Sequence, residues 1–250
     1  MLILVSNDDG IDSPGIRILA RFLKKIKGAK VVVVAPDRER SATSHSLTVH
    51  LPLRTFQQSP GFFSVDGTPT DAVMVGVHKI LKRKPDLLVS GINRGANLGE
   101  DVHYSGTVAA ALEAAIMGIP AIAVSVVGSP EGEFIFEPAA RFALKLARRV
   151  LKEGLPPGVV LNVNVPNKPS KKIRGVEVTS LGKHNYGDVI VEKIDPRGRP
   201  YFWIGGDPRR FEDRPGSDCN AFLKNKISIT PIQVDLTDYR FHQRLKEWKL

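Results

Sequence analysis

A Rossmann-like α/β fold, with a doubly wound, mostly parallel sheet in three layers and a C-terminal β-hairpin arm, is predicted by two observations. Short runs of apolar, largely β-branched residues alternate with stretches of helical period along the first two-thirds of the chain. These runs give way to glycine, proline or small polar residues, as expected of buried strands that end in turns.

The first run, Leu2 to Val5, leads into Ser6-Asn7-Asp8-Asp9-Gly10. Ser13 then caps a helix with Pro14 at its first position. Ile16, Leu19, Phe22, Leu23 and Ile26 give it one buried face before Gly28 stops it. Val31 to Ala35 is the second strand. Thr68 caps, Pro69 starts and Asp71 supports a helix carrying Val73, Met74, Val77, Ile80 and Leu81, and Asp86 to Ser90 reads as another buried strand. A helix rich in small residues runs from about Gly106 to Met117, with Gly118 as its stop, and can approach a sheet closely. Strands at Ala121 to Val126 and Val159 to Val165 flank an amphipathic helix from Pro138 to about Lys152. Residues 1–180 are read as the α/β core and 181–250 as a C-terminal extension.

Within the extension, Tyr186 to Phe222 mixes aromatic and charged residues. Asp195-Pro196-Arg197-Gly198 is a turn signal between Val189-Ile190-Val191 and Tyr201-Phe202-Trp203, so a hairpin is predicted. Its aromatic arm is too apolar to stand freely in water; either a partner surface or the chain's own core covers it. Ile227 to Val234 reads as a late strand, followed by a terminal helix from about Thr237.

With 250 residues, 42% of them hydrophobic, the chain can bury a substantial core. Its single cysteine, Cys219, leaves no internal disulfide and reads as an incidental thiol. There is no basic-then-apolar leader and no apolar run of about 18 residues, so a cytoplasmic chain without a membrane span is expected. The formal charge of +10 suits an anionic partner. Many of the cations, among them Lys24, Lys25, Arg83, Arg148 and Lys152, sit near predicted helix ends, where they complement the dipole. No paired-cysteine finger or aromatic RNA-binding signature accompanies them, so nucleic acid is not the expected partner.

Ligands of open α/β sheets bind beyond the carboxyl ends of the strands. The loops there carry Asn7, Asp8 and Asp9, then Asp37 to Ser41, then Asn93, Asn97, Ser105 and Thr107, then Ser125. Two carboxylates about 5 Å apart repel by roughly 3 kcal/mol at an effective dielectric of 20, so a crevice holding both needs compensation. A divalent cation supplies it, and the carboxylate, hydroxyl and amide oxygens available select a hard ion such as Mg²⁺, Mn²⁺ or Ca²⁺. Plain turn chemistry also accounts for Asp-Asp-Gly taken alone. The glycines and hydroxyls of Asn93 to Gly99 and of Ser105-Gly106-Thr107 lead into a helix N-terminus, which suits a phosphate; helix capping by Ser105 or Thr107 is compatible with that use.

Asn7-Asp8-Asp9-Gly10-Ile11, Ala35-Pro36-Asp37-Arg38-Glu39-Arg40-Ser41-Ala42, Ser90-Gly91-Ile92-Asn93-Arg94-Gly95 and Ser105-Gly106-Thr107 together resemble the survival protein SurE family, over nearly the whole chain. The resemblance implies a metal-dependent phosphomonoesterase acting on nucleoside 5′- and 3′-monophosphates, with one divalent ion, Mg²⁺ or Mn²⁺, per subunit. It implies a homodimer or homotetramer in which C-terminal segments are exchanged, and the hairpin aligns with the family's oligomerisation arm. The family's metal ligands fall on Asp8, Asp9, Ser41 and Asn93, and its phosphate-contacting segment on Asn97, Ser105, Gly106 and Thr107. Asp8 and Asp9 are the expected catalytic pair, with Asp9 taken to orient the attacking water. Asn7, beside the pair, and Thr68, in the Gly67-Thr68-Pro69 loop that resembles the one near the nucleoside, complete the substrate-binding candidates.

Rival readings share parts of this pattern. A dinucleotide-binding dehydrogenase needs Gly-x-Gly-x-x-Gly after the first strand, which is missing. A Mg²⁺-binding receiver-like signalling module needs a phosphoacceptor aspartate after the middle strand, where Ser90, Gly91 and Asn93 stand instead. A basic nucleic-acid-binding oligomer rests on charge alone. Of the histidines, none is spaced as a metal pair with another, and His103 is the candidate proton donor to a leaving group.

Overall fold

The computed structural model describes residues 1–128, 132–185, 190–204 and 210–248. β1 (Leu2–Ser6) and β2 (Lys30–Pro36) are joined by α1 (Pro14–Leu23). Then follow β3 (Thr55–Ser59), β4 (Phe62–Val65), α2 (Pro69–Val75), β5 (Leu87–Arg94), α3 (Gly106–Ile116), β6 (Ala121–Val127), α4 (Phe136–Glu153) and β7 (Val159–Pro166). The chain continues through β8 (Val176–Val178), β9 (His184–Asn185), β10 (Ile190–Ile194), β11 (Pro200–Ile204), β12 (Arg210–Phe211), α5 (Asp218–Leu223), β13 (Ile227–Gln233) and α6 (Tyr239–Leu245).

The main sheet has the order β3-β4-β2-β1-β5-β6-β7-β13-β8. Every neighbouring pair from β4 to β7 is parallel. From β1 the chain winds outward through β2 to β4, then returns past β1 to lay down β5, β6 and β7. The strand order therefore reverses between β1 and β5, which is where such sheets open a crevice.

Alternation along each strand sends side chains to two apolar layers. Ile3, Val5, Val33, Leu87 and Val89 pack on one face with α1 and α4, through residues such as Ile16, Leu19, Ala143 and Ala147. Leu4, Val34, Leu88, Ala121 and Ala123 pack on the other with α2 and α3. Each such Val, Leu or Ile contributes about 1.5–3 kcal/mol on full burial. Capping is as the residues direct: Ser13, Thr68 and Ser105 each accept a backbone N–H of their helix's first turn, and Thr68 forms a capping box with Asp71.

Helix α1 reaches β5 closely because position 15 is glycine. A Cβ there would stand 2.2 Å from the Ile92 carbonyl oxygen. On the neighbouring strand pair, Gly91 has φ +130° and its Cβ would meet the Val124 oxygen at 2.3 Å. Directly after it the register of β5 on β6 shifts, so that Asn93 stands opposite Ser125. Such irregularities re-aim a side chain at a strand end.

Several elements differ from their sequence expectation. The strand expected to end at Ser90 runs on to Arg94, carrying Asn93 into the sheet. The antiparallel β3–β4 pair at one edge carries Phe62 and Phe63 in a largely polar segment and shows too little apolar alternation to announce itself. The late strand β13 lies antiparallel to β7 and parallel to β8, so the main sheet continues into the C-terminal extension. Buried Asp218, on α5, accepts the backbone N–H groups of Gly99 (2.9 Å) and Gly182 (2.7 Å), tying this extension to the loop after β5. β10 and β11 form the expected hairpin, with Asp195 accepting from the N–H groups of Arg197 and Arg199 across its turn. The expected strand start at Val189, and Tyr186, lie outside the described residues.

Gly15→Ala should cost about 1–3 kcal/mol by overpacking, lowering Tm by roughly 3–10 °C. Arg17→Ala, on the exposed side of the same helix, loses only a surface ion pair with Asp12 and should shift Tm by no more than about 2 °C. Thermal melts of the two variants check this; equal shifts would remove the steric account of Gly15.

Candidate active site

At the reversal point, between the ends of β1 and β5, lies a cleft of about 280 Å³ whose lining includes Asp8, Ser41, Asn93, Asn97 and Ser105. The sequence motifs thus meet in space although Asp8 and Ser105 are nearly a hundred positions apart. Among the described residues, no three His, Cys, Asp or Glu side chains gather as a metal cluster, so any cation here relies on amide and hydroxyl oxygens as well.

Asp8 is 5% exposed and is held by α3: its Oδ1 accepts the hydroxyl of fully buried Thr107. Gly106 permits the approach, since a Cβ on it would stand 2.8 Å from the Asp8 Cβ. Asp9 is half-buried, and its Oδ2 accepts the backbone N–H of Arg94 at 3.1 Å. Each carboxylate therefore has at least one oxygen committed to a protein donor. Burial pushes the Asp8 carboxyl above its usual range, against the opposing pull of the Thr107 hydroxyl. Burial, and then the charge of Asp8, push Asp9 up to about 7. Both shifts say that the pair is poorly tolerated as two bare anions.

The second loop folds back onto the first: Arg40 N–H donates to the Asp8 carbonyl oxygen at 2.7 Å. Ser41 donates its hydroxyl to Glu39 Oε1 at 2.7 Å, which leaves its oxygen lone pairs available. Asn93 donates its Nδ2 to the Gly95 carbonyl oxygen at 3.2 Å, leaving its Oδ1 as the acceptor end. Two carboxylates, one hydroxyl and one amide, each with acceptor capacity left over, fit a hard divalent cation.

Other candidates take up different positions. Ser105 caps α3 by accepting Val108 N–H at 3.0 Å and lines the cleft, and buried Asn97 lines it from the loop after β5. Thr107 spends its hydroxyl on Asp8, so it acts on the carboxylate itself. Asn7 is wholly buried inside the turn, its Nδ2 donating to the Gly10 carbonyl and to Ser13 Oγ, both at 2.9 Å, and it does not line the cleft. Thr68 also stands off the cleft lining; its hydroxyl accepts Asp71 N–H and donates to the Ser46 carbonyl. His103 lines a neighbouring apolar groove of about 400 Å³ that shares Ser105 with the cleft.

A model of the survival protein SurE family matches residues 3–188 of the chain. The chain is 52% identical to the 5′-nucleotidase SurE of Syntrophotalea carbinolica, covering 100% of this chain and 98% of that one. It is 53% identical to the 5′-nucleotidase SurE of Geobacter sulfurreducens, covering 100% and 94%. Among solved structures, the SurE protein from Aquifex aeolicus superimposes with a TM-score of 0.86 at 42% identity, over 98% of each chain. The chain belongs to the survival protein SurE family.

In this SurE-family chain some supports of the cleft escaped sequence reasoning. Buried Asp71 does more than cap α2: its Oδ1 accepts Thr48 N–H at 3.0 Å and so anchors the far end of the Ser41 loop. Glu113, on α3, meets His45 Nε2 at 2.8 Å and fastens the middle of that loop. A polar residue inside the Ala-rich helix was the available signal for Glu113; the second bond of Asp71 left none.

In the metal-free protein the raised carboxyl pKa values set the sign of a pH effect. The pair binds more protons in the folded protein than in the unfolded chain between about pH 4 and 7, so its contribution to stability is present below that window and is lost as pH rises through it. Calorimetric melts with EDTA should show Tm falling over this interval, and Mn²⁺ or Asp9→Asn should flatten the slope. A Tm rising with pH in EDTA would contradict the burial of the pair.

Proposed function

We propose that this chain is a divalent-metal-dependent phosphatase that converts nucleoside 5′-monophosphates, and 3′-monophosphates, to nucleoside and phosphate. The observation that carries the reading is the buried carboxylate of Asp8 set against the N-terminus of an 11-residue helix in the cleft, with the half-buried carboxylate of Asp9 next to it in the chain. The activity named for its relatives in Syntrophotalea and Geobacter supports it.

Asp8, Asp9, Ser41 and Asn93 would hold one Mg²⁺ or Mn²⁺ per subunit. When bound, such an ion supplies Lewis-acid stabilisation of charge on the phosphoryl group. Asn97, Ser105 and Gly106 would bind the phosphate at the positive end of the α3 dipole, next to Thr107, whose hydroxyl holds Asp8. Asp8, fixed by Thr107, and Asp9, fixed by Arg94 N–H, are pre-organised before substrate arrives. Asp9 orients the attacking water in line with the ester bond. The water oxygen bonds to phosphorus and gives up one proton, the bond from phosphorus to the ribose oxygen breaks, and the ribose oxygen takes up one proton in exchange to leave as the nucleoside hydroxyl, so that water and monoester become hydrogen phosphate and nucleoside.

The hairpin is the proposed oligomerisation arm, making a homodimer or homotetramer. Its support is the exposure of Tyr201, Phe202, Trp203 and Ile204 on β11, with Ile190 and Ile194 on β10. Among the described residues, no helix is long and apolar enough to cross a membrane; a cytoplasmic location is part of the same proposal.

Phosphate release from 5′-AMP and 3′-AMP is expected with Mn²⁺ or Mg²⁺ and should vanish with excess EDTA. Asp9→Asn should melt as a folded protein yet lose at least about a hundredfold in kcat. Release that persists after exhaustive chelation would overturn the metal mechanism. Shortening the Asp195–Arg199 turn and the strands beside it should lower the native mass measured by light scattering; an unchanged mass would remove the arm from the interface.

A further inference from the structure

β7 is a central strand of the sheet, yet its sequence is Val159-Val160-Leu161-Asn162-Val163-Asn164-Val165-Pro166. Asn162 and Asn164 alternate onto the α3 face and are 0% and 1% exposed. Both amides converge on one residue of the cleft. Asn164 Oδ1 accepts the backbone N–H of Asn97, and Asn164 Nδ2 donates to the Asn97 carbonyl oxygen, each at 2.9 Å. A side-chain amide here copies the paired donor and acceptor of a β-bridge. Asn162 Nδ2 adds a third bond to the same carbonyl at 2.8 Å. Ser125, the neighbour of Asn164 across β6, receives the Asn97 side chain, with Nδ2 2.7 Å from its Oγ.

These residues sit where packing alone would favour Val or Ile. Asn162 even leaves its Oδ1 without a partner among the described residues, a cost that the bond to Asn97 helps to offset. Asn97 cannot draw its precision from regular structure, because it lies in the loop between β5 and α3. Its peptide is gripped on both sides and its side chain at the tip. A serine hydroxyl donates as readily as it accepts, so Ser125 serves either orientation of the Asn97 amide, including the one that turns Nδ2 to an anion.

We propose that Asn164, Asn162 and Ser125 are positioning residues for phosphoryl transfer, which set the Asn97 side chain against the phosphate in the cleft. The proposal rests on the nucleotidase reading and on Asn97 facing the phosphate. The bonds of Asn162 and Asn164 go to Asn97 and not to a proposed metal ligand, whereas Ser125 bonds Asn97 while standing opposite Asn93 in the sheet, so the two asparagines give the cleaner separation from metal binding.

The test combines kinetics on 5′-AMP with calorimetric titration of inorganic phosphate into the Mn²⁺-loaded protein and of Mn²⁺ into the metal-free protein. Asn164→Asp keeps the acceptor for Asn97 N–H and removes the donor; Asn162→Leu and Ser125→Ala remove one bond each and guard against a buried charge that prevents folding. Each folded variant should lose about tenfold in kcat/KM and in phosphate affinity, while Mn²⁺ affinity stays within about twofold of wild type. In an Asn97→Ala background the same changes should add almost nothing. Losses that multiply in that background, or a parallel fall in Mn²⁺ affinity, would assign the residues a merely structural role and overturn the proposal. So would folded variants with unaltered phosphate affinity. Should wild type bind phosphate but release none from 5′-AMP, the nucleotidase reading fails, and the phosphate titrations still decide whether the three residues act through Asn97.

Discussion

The buried contact from Thr107 to Asp8 joins the end of the first strand to the start of α3 across the point where the strand order reverses. Much of the cleft depends on it. A carboxylate buried at this depth needs a donor or a counter-charge, and the threonine hydroxyl is the donor that the protein itself provides. The contact in turn requires glycine at 106, because α3 must come so near that no Cβ fits beside Asp8. The alanines along α3 then let the rest of the helix follow the sheet at the same close range.

Electrostatics and packing pull against each other at this place. Hydrophobic layers above and below the sheet favour excluding water, and exclusion of water raises the carboxyl pKa values of Asp8 and Asp9. Backbone N–H groups from Arg94 and the donors on Thr107 offset part of that penalty without neutralising the pair. The remainder makes the cleft a favourable place for a divalent cation, and so links the stability of the fold to the proposed chemistry. A receiver-like module would present a third acidic group at the end of this strand, whereas β5 carries Asn93 and Arg94 there.

The C-terminal extension has two characters. β13 belongs to the main sheet, and α5 is bound to the core through Asp218. The hairpin β10–β11 and the helix α6 instead carry exposed Tyr, Phe, Trp and Leu side chains. Local sequence pattern identified both the late strand and the hairpin, the hairpin through its Asp195-Pro196-Arg197-Gly198 turn signal. It said nothing of their neighbours in space, which is why the sheet runs past the boundary drawn at residue 180.

By itself the sequence determined the order of β1, β2, β5, β6 and β7 and of helices α1 to α4, the caps at Ser13 and Thr68, and the gathering of acidic and hydroxyl residues at strand ends. These follow from local periodicity, from capping chemistry and from the rule that ligands meet the carboxyl ends of parallel strands. Tertiary structure alone decided what each polar group touches. It turned Thr107 towards Asp8 and Asn7 into its own turn, and it brought Asn162 and Asn164 beneath Asn97 from more than sixty positions away. Hydrogen-bond partners are chosen by distance and direction in space, and an asparagine inside an apolar strand announces only that a partner must exist.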